Sequence, residues 1–126
     1  MRILLVDDEE GFLAIMGDVL RDAGHSVTIA QDGKAARELL EVEKVDTIIS
    51  DVFMPTLDGA RFHSYVREFS RNADVPFIFI SGFNDDRTRS LVVDPARDYF
   101  FSKTTPVDTI LQLLESLDRS LRMRST

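Results

Sequence analysis

Ile3-Leu4-Leu5-Val6-Asp7-Asp8-Glu9, near the start of the chain, decides how the remainder is read. Four consecutive aliphatic residues form a run too short for a core helix. A continuous apolar run of this length suits a strand buried on both faces. Similar runs recur at 27–30, at 45–50 (ending on Asp51), at 75–80 and at 99–101. Between them the apolar spacing changes to the helical period. Phe12, Ile15, Met16, Val19, Leu20 and Ala23 lie on one stripe, and Gly24 supplies a helix stop. A short helix is expected after the Asp32-Gly33 turn, running through Leu39-Leu40. Another spans 59–69, with Phe62, Tyr65, Val66 and Phe69 on one face. The last has Pro106 at its start and places Val107, Ile110, Leu114, Leu117 and Leu121 at steps of three and four. The segment 85–93 has no clear apolar stripe and Asp94-Pro95 interrupts it, so a short or mobile helix is expected there.

Five alternating strand and helix units predict an α/β fold. Such units give a parallel sheet with right-handed crossovers and helices on both faces. At 126 residues, a five-stranded doubly wound sheet accounts for the whole chain as one domain, 1–126. Repeats, linkers and low-complexity tracts are absent from the sequence. Fifteen Lys and Arg against 22 Asp and Glu give a net charge of −7, which argues against direct binding to nucleic acid or to an anionic membrane. The absence of cysteine excludes disulfides, thiolate metal sites and thiol catalysis. Met1-Arg2 runs straight into the first strand and leaves no room for a signal peptide, so a cytoplasmic location is expected.

In doubly wound sheets ligands bind beyond the carboxyl ends of the strands. There the sequence places Asp7-Asp8-Glu9, Asp51, Ser81-Gly82 and Ser102-Lys103. Three aspartates on adjacent strands repel one another unless a cation is shared. All-oxygen donors of this kind suit Mg²⁺. One aspartate can then act as a nucleophile, and a lysine can offset the charge of a transferring phosphoryl group. From residue chemistry alone, metal-assisted phosphoryl transfer to an aspartate is expected.

The motifs Leu5-Val6-Asp7-Asp8-Glu9 and Asp51-Val52-Phe53-Met54-Pro55-Thr56-Leu57-Asp58-Gly59, with Ser81-Gly82 and Lys103, resemble the receiver domain of two-component response regulators. The resemblance covers essentially the whole chain. The intervals of 30 residues from 51 to 81, and 22 from 81 to 103, are similar to those of the family. It implies the flavodoxin-like strand order 2-1-3-4-5. It also implies Asp51 as phosphoacceptor and Mg²⁺ (or Mn²⁺) ligated by Asp8, Asp51 and the Phe53 carbonyl, with Asp7 acting mainly through water. Lys103 would pair with the phosphoryl group, and Ser81 and Phe100 would be the switch residues. The implied donor is a phosphohistidine on a sensor histidine kinase or histidine phosphotransfer protein. The implied output is a downstream protein on the face of the fourth helix, fifth strand and fifth helix. The domain would not be a conventional enzyme, although it would catalyse its own phosphorylation and dephosphorylation.

Departures from the family pattern generate further expectations. Lys103 is followed by Thr104 where the family usually has proline, which keeps open a receiver-fold interaction module that works without phosphorylation. Phe53 and Phe83 stand two residues beyond Asp51 and Ser81, where polar residues often orient the hydrolytic water, so slow self-dephosphorylation is expected. A phosphatase of the haloacid dehalogenase type is disfavoured because Asp7 and Asp8 are adjacent. A dinucleotide enzyme is disfavoured because the loop after the first strand lacks GxGxxG. Glu9 and Glu10 read as acids at a helix N-terminus, and Asp58 as a turn and N-cap residue. Asp32-Gly33 reads as a turn only, and His25 and His63 as surface or half-buried histidines. Only five residues follow Leu121, so no effector domain is expected in this chain.

Overall fold

The computed structural model describes residues 1–83 and 86–124. Its elements are β1 (Arg2–Val6), α1 (Glu10–Asp22), β2 (Ser26–Ala30), α2 (Gly33–Val42), β3 (Thr47–Asp51), α3 (Gly59–Phe69), β4 (Phe77–Ser81), α4 (Asp86–Arg89), β5 (Asp98–Ser102) and α5 (Val107–Arg124). The strands form one parallel sheet in the order β2-β1-β3-β4-β5.

Alternation along each strand divides the core in two. Ile3, Leu5, Ile49, Ile78 and Ile80 face α1 and α5, meeting Leu13, Leu20, Ile110 and Leu114. Leu4, Val6, Ile48, Phe77 and Phe79 face the other side, where Leu40, Phe62 and Val66 of α2 and α3 cover them. The strands are apolar on both faces because both faces are covered.

Several boundaries differ from the sequence reading. Strand β3 starts at Thr47 rather than at 45, because the Val45 N–H donates to Asn72 Oδ1 and the Asp46 N–H to Arg2 O. Strand β4 starts at Phe77 rather than at 75, since Pro76 has no N–H to donate. Asp32-Gly33 is more than a turn: Asp32 is the N-cap of α2 and accepts from the Ala35 N–H at 2.7 Å. Gly24 takes φ +97° immediately after α1, a left-handed conformation that glycine adopts without penalty. The expected helix at 85–93 is a single turn, Asp86–Arg89; the expected start at Asp85 lies outside the described residues. No helix among the described residues is long and apolar enough to cross a membrane.

His63 is buried, which corrects the surface or half-buried reading. It sits on α3 between the Phe77 and Phe79 rings, and its Nε2 lies 2.9 Å from Asp98 Oδ1. The same carboxylate oxygen accepts from Arg67 at 2.6 Å, and Asp98 Oδ2 accepts from the Asp94 N–H at 3.1 Å. Arg67 also donates to the carbonyls of Ala73 and Val75. This buried network ties α3 to the irregular segment before β5. Burial opposes the charge on Asp98, but the bonds from Arg67 and His63 outweigh it and hold the carboxyl below its usual range.

Candidate functional site

The strand register brings the expected residues to one edge. Val6 pairs with Ser50, Asp51 with Ile80, and Ser81 with Ser102, so Asp7, Asp51, Ser81 and Lys103 all sit at the carboxyl rim of the sheet. Asp7 and Ser81 are fully buried, Asp51 is nearly so, and Asp8 is exposed.

Asp7, Asp8 and Asp51 each offer a carboxylate oxygen, all within 4.8 Å of one another. Asp7 Oδ1 accepts from the Glu9 N–H at 2.9 Å. Asp7 Oδ2 is buried and is met by Lys103 Nζ at 2.8 Å in an ion pair. Asp51 Oδ1 accepts from the Val52 N–H at 2.8 Å, while Oδ2 lies 3.7 Å from Lys103 Nζ. Burial and the charge of Asp7 push the Asp51 carboxyl up to about 6, against the pull of Lys103. Burial likewise raises Asp7 above its ordinary value. Burial opposes charge on Lys103 too, but bonds to Asp7 and Glu9 and the charge of Asp51 outweigh it and raise the ammonium pKa. Three carboxylate oxygens brought together in an all-oxygen trio fit a hard divalent cation such as Mg²⁺.

The loop after β3 is shaped by close packing. Asp58 caps α3 by accepting from the Arg61 N–H at 2.9 Å, as expected. The Gly59 N–H donates to Val52 O at 2.8 Å, and a Cβ on Gly59 would collide with the carbonyl oxygen of Asp51. Thr56, in the same loop, is held at φ +66°.

The loop after β5 keeps the lysine in place without proline. The Lys103 N–H donates to Ser81 O at 2.8 Å, the Thr104 N–H to Ser102 Oγ at 3.0 Å, and the Thr105 N–H to Ser102 O at 3.0 Å. No peptide bond among the described residues is cis, so Lys103–Thr104 is trans. Ser81 Oγ accepts from the Phe83 N–H at 3.0 Å. Phe53 and Phe83 are 53% and 61% exposed and meet edge to face over the rim, centroids 5.2 Å apart. Phe100 is half-buried on the α3 side of the sheet, whereas Tyr99 and Phe101 pack on the α1 and α5 side. His25, half-buried, contacts the amino terminus, and neither histidine joins the acidic trio.

Glu9 is the residue that sequence reasoning missed. It stands exposed at the N-terminus of α1, as expected, but its Oε1 also accepts from Lys103 Nζ at 2.8 Å. Phe12 adds its ring beneath the same ammonium, 4.7 Å from the centroid. The local spacing contains no signal for either contact, because the lysine lies about 90 residues away.

A parallel 2-1-3-4-5 sheet with an aspartate trio and a lysine at its carboxyl rim defines the receiver class of signalling domain. The chain belongs to the response regulator receiver domain family, whose pattern it matches over residues 3–115. It is 29% identical over 119 residues to the response regulator MprA of Mycolicibacterium vanbaalenii, covering 94% of this chain and 51% of the relative. It is 32% identical over 111 residues to an uncharacterized 14.6 kDa protein of Leptolyngbya boryana, covering 87% of this chain and 85% of that one. The chain thus spans about half the length of MprA. The solved structure of the Vibrio cholerae chemotaxis protein CheY4 superposes with a TM-score of 0.83 at 27% identity, covering 92% of this chain and 97% of that one.

Proposed function

We propose that this receiver accepts a phosphoryl group on Asp51 and works as a switch in two-component signalling. The observation that carries the reading is the Asp51 carboxylate, nearly buried, joined to Asp7 and Asp8 in one oxygen cluster and 3.7 Å from Lys103 Nζ. The donor would be the phosphohistidine of a sensor kinase or phosphotransfer protein. An Asp51 oxygen attacks phosphorus, the bond from phosphorus to the histidine nitrogen breaks, and the imidazole leaves with the electron pair and takes a proton. Asp8, Asp51 and the Phe53 carbonyl, with Asp7 acting mainly through water, would hold Mg²⁺, which would supply charge neutralisation for the phosphoryl oxygens. Lys103 draws in from 3.7 Å to pair with the transferred group.

Ser81, whose Oγ accepts from the Phe83 N–H in the resting site, then moves to donate its O–H to a phosphoryl oxygen. That movement shifts the population of the loop after β4, with Phe100 following on β5. The face of α4, β5 and α5 is the proposed docking surface for a downstream protein. The exposed Phe53–Phe83 pair shields the acyl phosphate and slows hydrolysis. The alternative of a module that works without phosphorylation rests on the missing proline; a Lys103 Nζ 3.7 Å from Asp51 supports the phosphoacceptor reading over it.

The test is intact-protein mass after incubation with a small phosphodonor, with and without Mg²⁺. A Mg²⁺-dependent gain of one phosphoryl group, lost in Asp51→Asn, is expected. No gain despite measurable Mg²⁺ binding would overturn the reading in favour of a phosphate-independent module.

A further inference from the structure

Glu9 occupies the N-cap position of α1, yet its side chain makes no capping hydrogen bond. Its carboxylate reaches instead to Lys103, 2.8 Å away, while its own N–H is fixed on Asp7. The lysine is therefore shared. Asp7 and Glu9 each hold Nζ at 2.8 Å, the Phe12 ring lies 4.7 Å from it, and Asp51 waits at 3.7 Å.

We propose that Glu9 is a positioning residue, a latch that with Phe12 draws Lys103 away from Asp51 in the resting receiver and releases it to an incoming phosphoryl group. The inference rests on the phosphoacceptor reading above. Of the two carboxylates in closest contact with Lys103, Asp7 is buried and cannot lose its partner without leaving an uncompensated charge. Glu9 is exposed, so water replaces the lysine at little cost. A phosphoryl group carries more negative charge than one carboxylate and competes for the ammonium. Glu9 is the contact that yields.

Two substitutions separate contact from charge. Glu9→Gln removes the charge at constant length. Glu9→Asp keeps the charge but is one methylene too short to reach Nζ. The latch predicts that both variants free Lys103 and lower the half-saturating concentration of a small anionic phosphodonor. The expected fall is roughly threefold, in the range of one exposed ion pair, with the maximal rate nearly unchanged. A fall with Gln alone would mean a long-range field effect and would overturn the latch, as would wild-type behaviour in both.

A second readout does not depend on the chemistry. The Lys103 side-chain ammonium resonance of the metal-free protein, assigned by its loss in Lys103→Arg, is expected upfield from the Phe12 ring and displaced in both Glu9 variants. If the wild type takes up no phosphoryl group, the phosphoacceptor reading fails while this resonance still judges the latch. A resonance unmoved in both variants overturns it.

Discussion

Asp51 Oδ2 and Lys103 Nζ stand 3.7 Å apart, too far for a hydrogen bond, while the same ammonium lies 2.8 Å from Asp7. The resting site is thus under-neutralised at Asp51, and its carboxyl, burial first and Asp7 second, is raised to about 6. Between the ordinary carboxylate value near 4 and the folded value of about 6, the folded state holds the extra proton, so this group's contribution to stability falls as pH rises. Above about 6 the penalty is complete, on the order of 2–3 kcal/mol. Asp51→Asn is expected to be more stable than wild type at pH 7.5 in chelator, with the difference vanishing near pH 4. Denaturant titrations at both pH values check this, and Mg²⁺ should narrow the gap at pH 7.5 by stabilising only the wild type.

Phe53 and Phe83, two residues beyond Asp51 and Ser81, meet edge to face, and the proposed function has this pair shield the acyl phosphate. Phe53→Asn or Phe83→Glu is expected to shorten the phosphoryl lifetime roughly tenfold, about 1.4 kcal/mol of barrier. Decay of the phosphorylated mass after removal of donor measures it, and unchanged decay in both variants would refute shielding.

Asp98 anchors Arg67 and His63 beneath α3. Asp98→Ala leaves a buried guanidinium without its carboxylate and is expected to cost about 3–5 kcal/mol. Because the folded carboxyl is held below its usual range, its stabilisation is present above pH ~4 and is lost as pH falls through the folded value. Acid unfolding of wild type and Asp98→Asn, followed by circular dichroism, should converge at low pH.

Gly59 opens α3 directly against the Asp51 carbonyl. The obstacle to a Cβ is backbone, which cannot rotate aside. Gly59→Ala is expected to cost about 1–3 kcal/mol by overpacking and to shift the Asp51 loop. Chemical denaturation gives the first effect. Weakened Mg²⁺ binding gives the second.

The apolar runs and helical stripes determined the element order by themselves, because strand and helix periods are local properties of the chain. The convergence of Asp7, Asp51, Ser81 and Lys103 followed from strand-end rules once the units were counted, and the sheet order was implied by the resemblance to the receiver family. Local chemistry also made Asp58 legible as an N-cap, since its partner Arg61 is three residues away. Other features depended on tertiary structure. Glu9 meets Lys103 across 94 residues, and His63 meets Asp98 across 35. Neither pair leaves a local pattern. The start of β3 at Thr47 depended on Asn72 claiming the Val45 N–H, again a distant partner. Periodicity tells each side chain which face it takes. Only the folded packing decides which charge on that face becomes its neighbour, and with it where Lys103 rests.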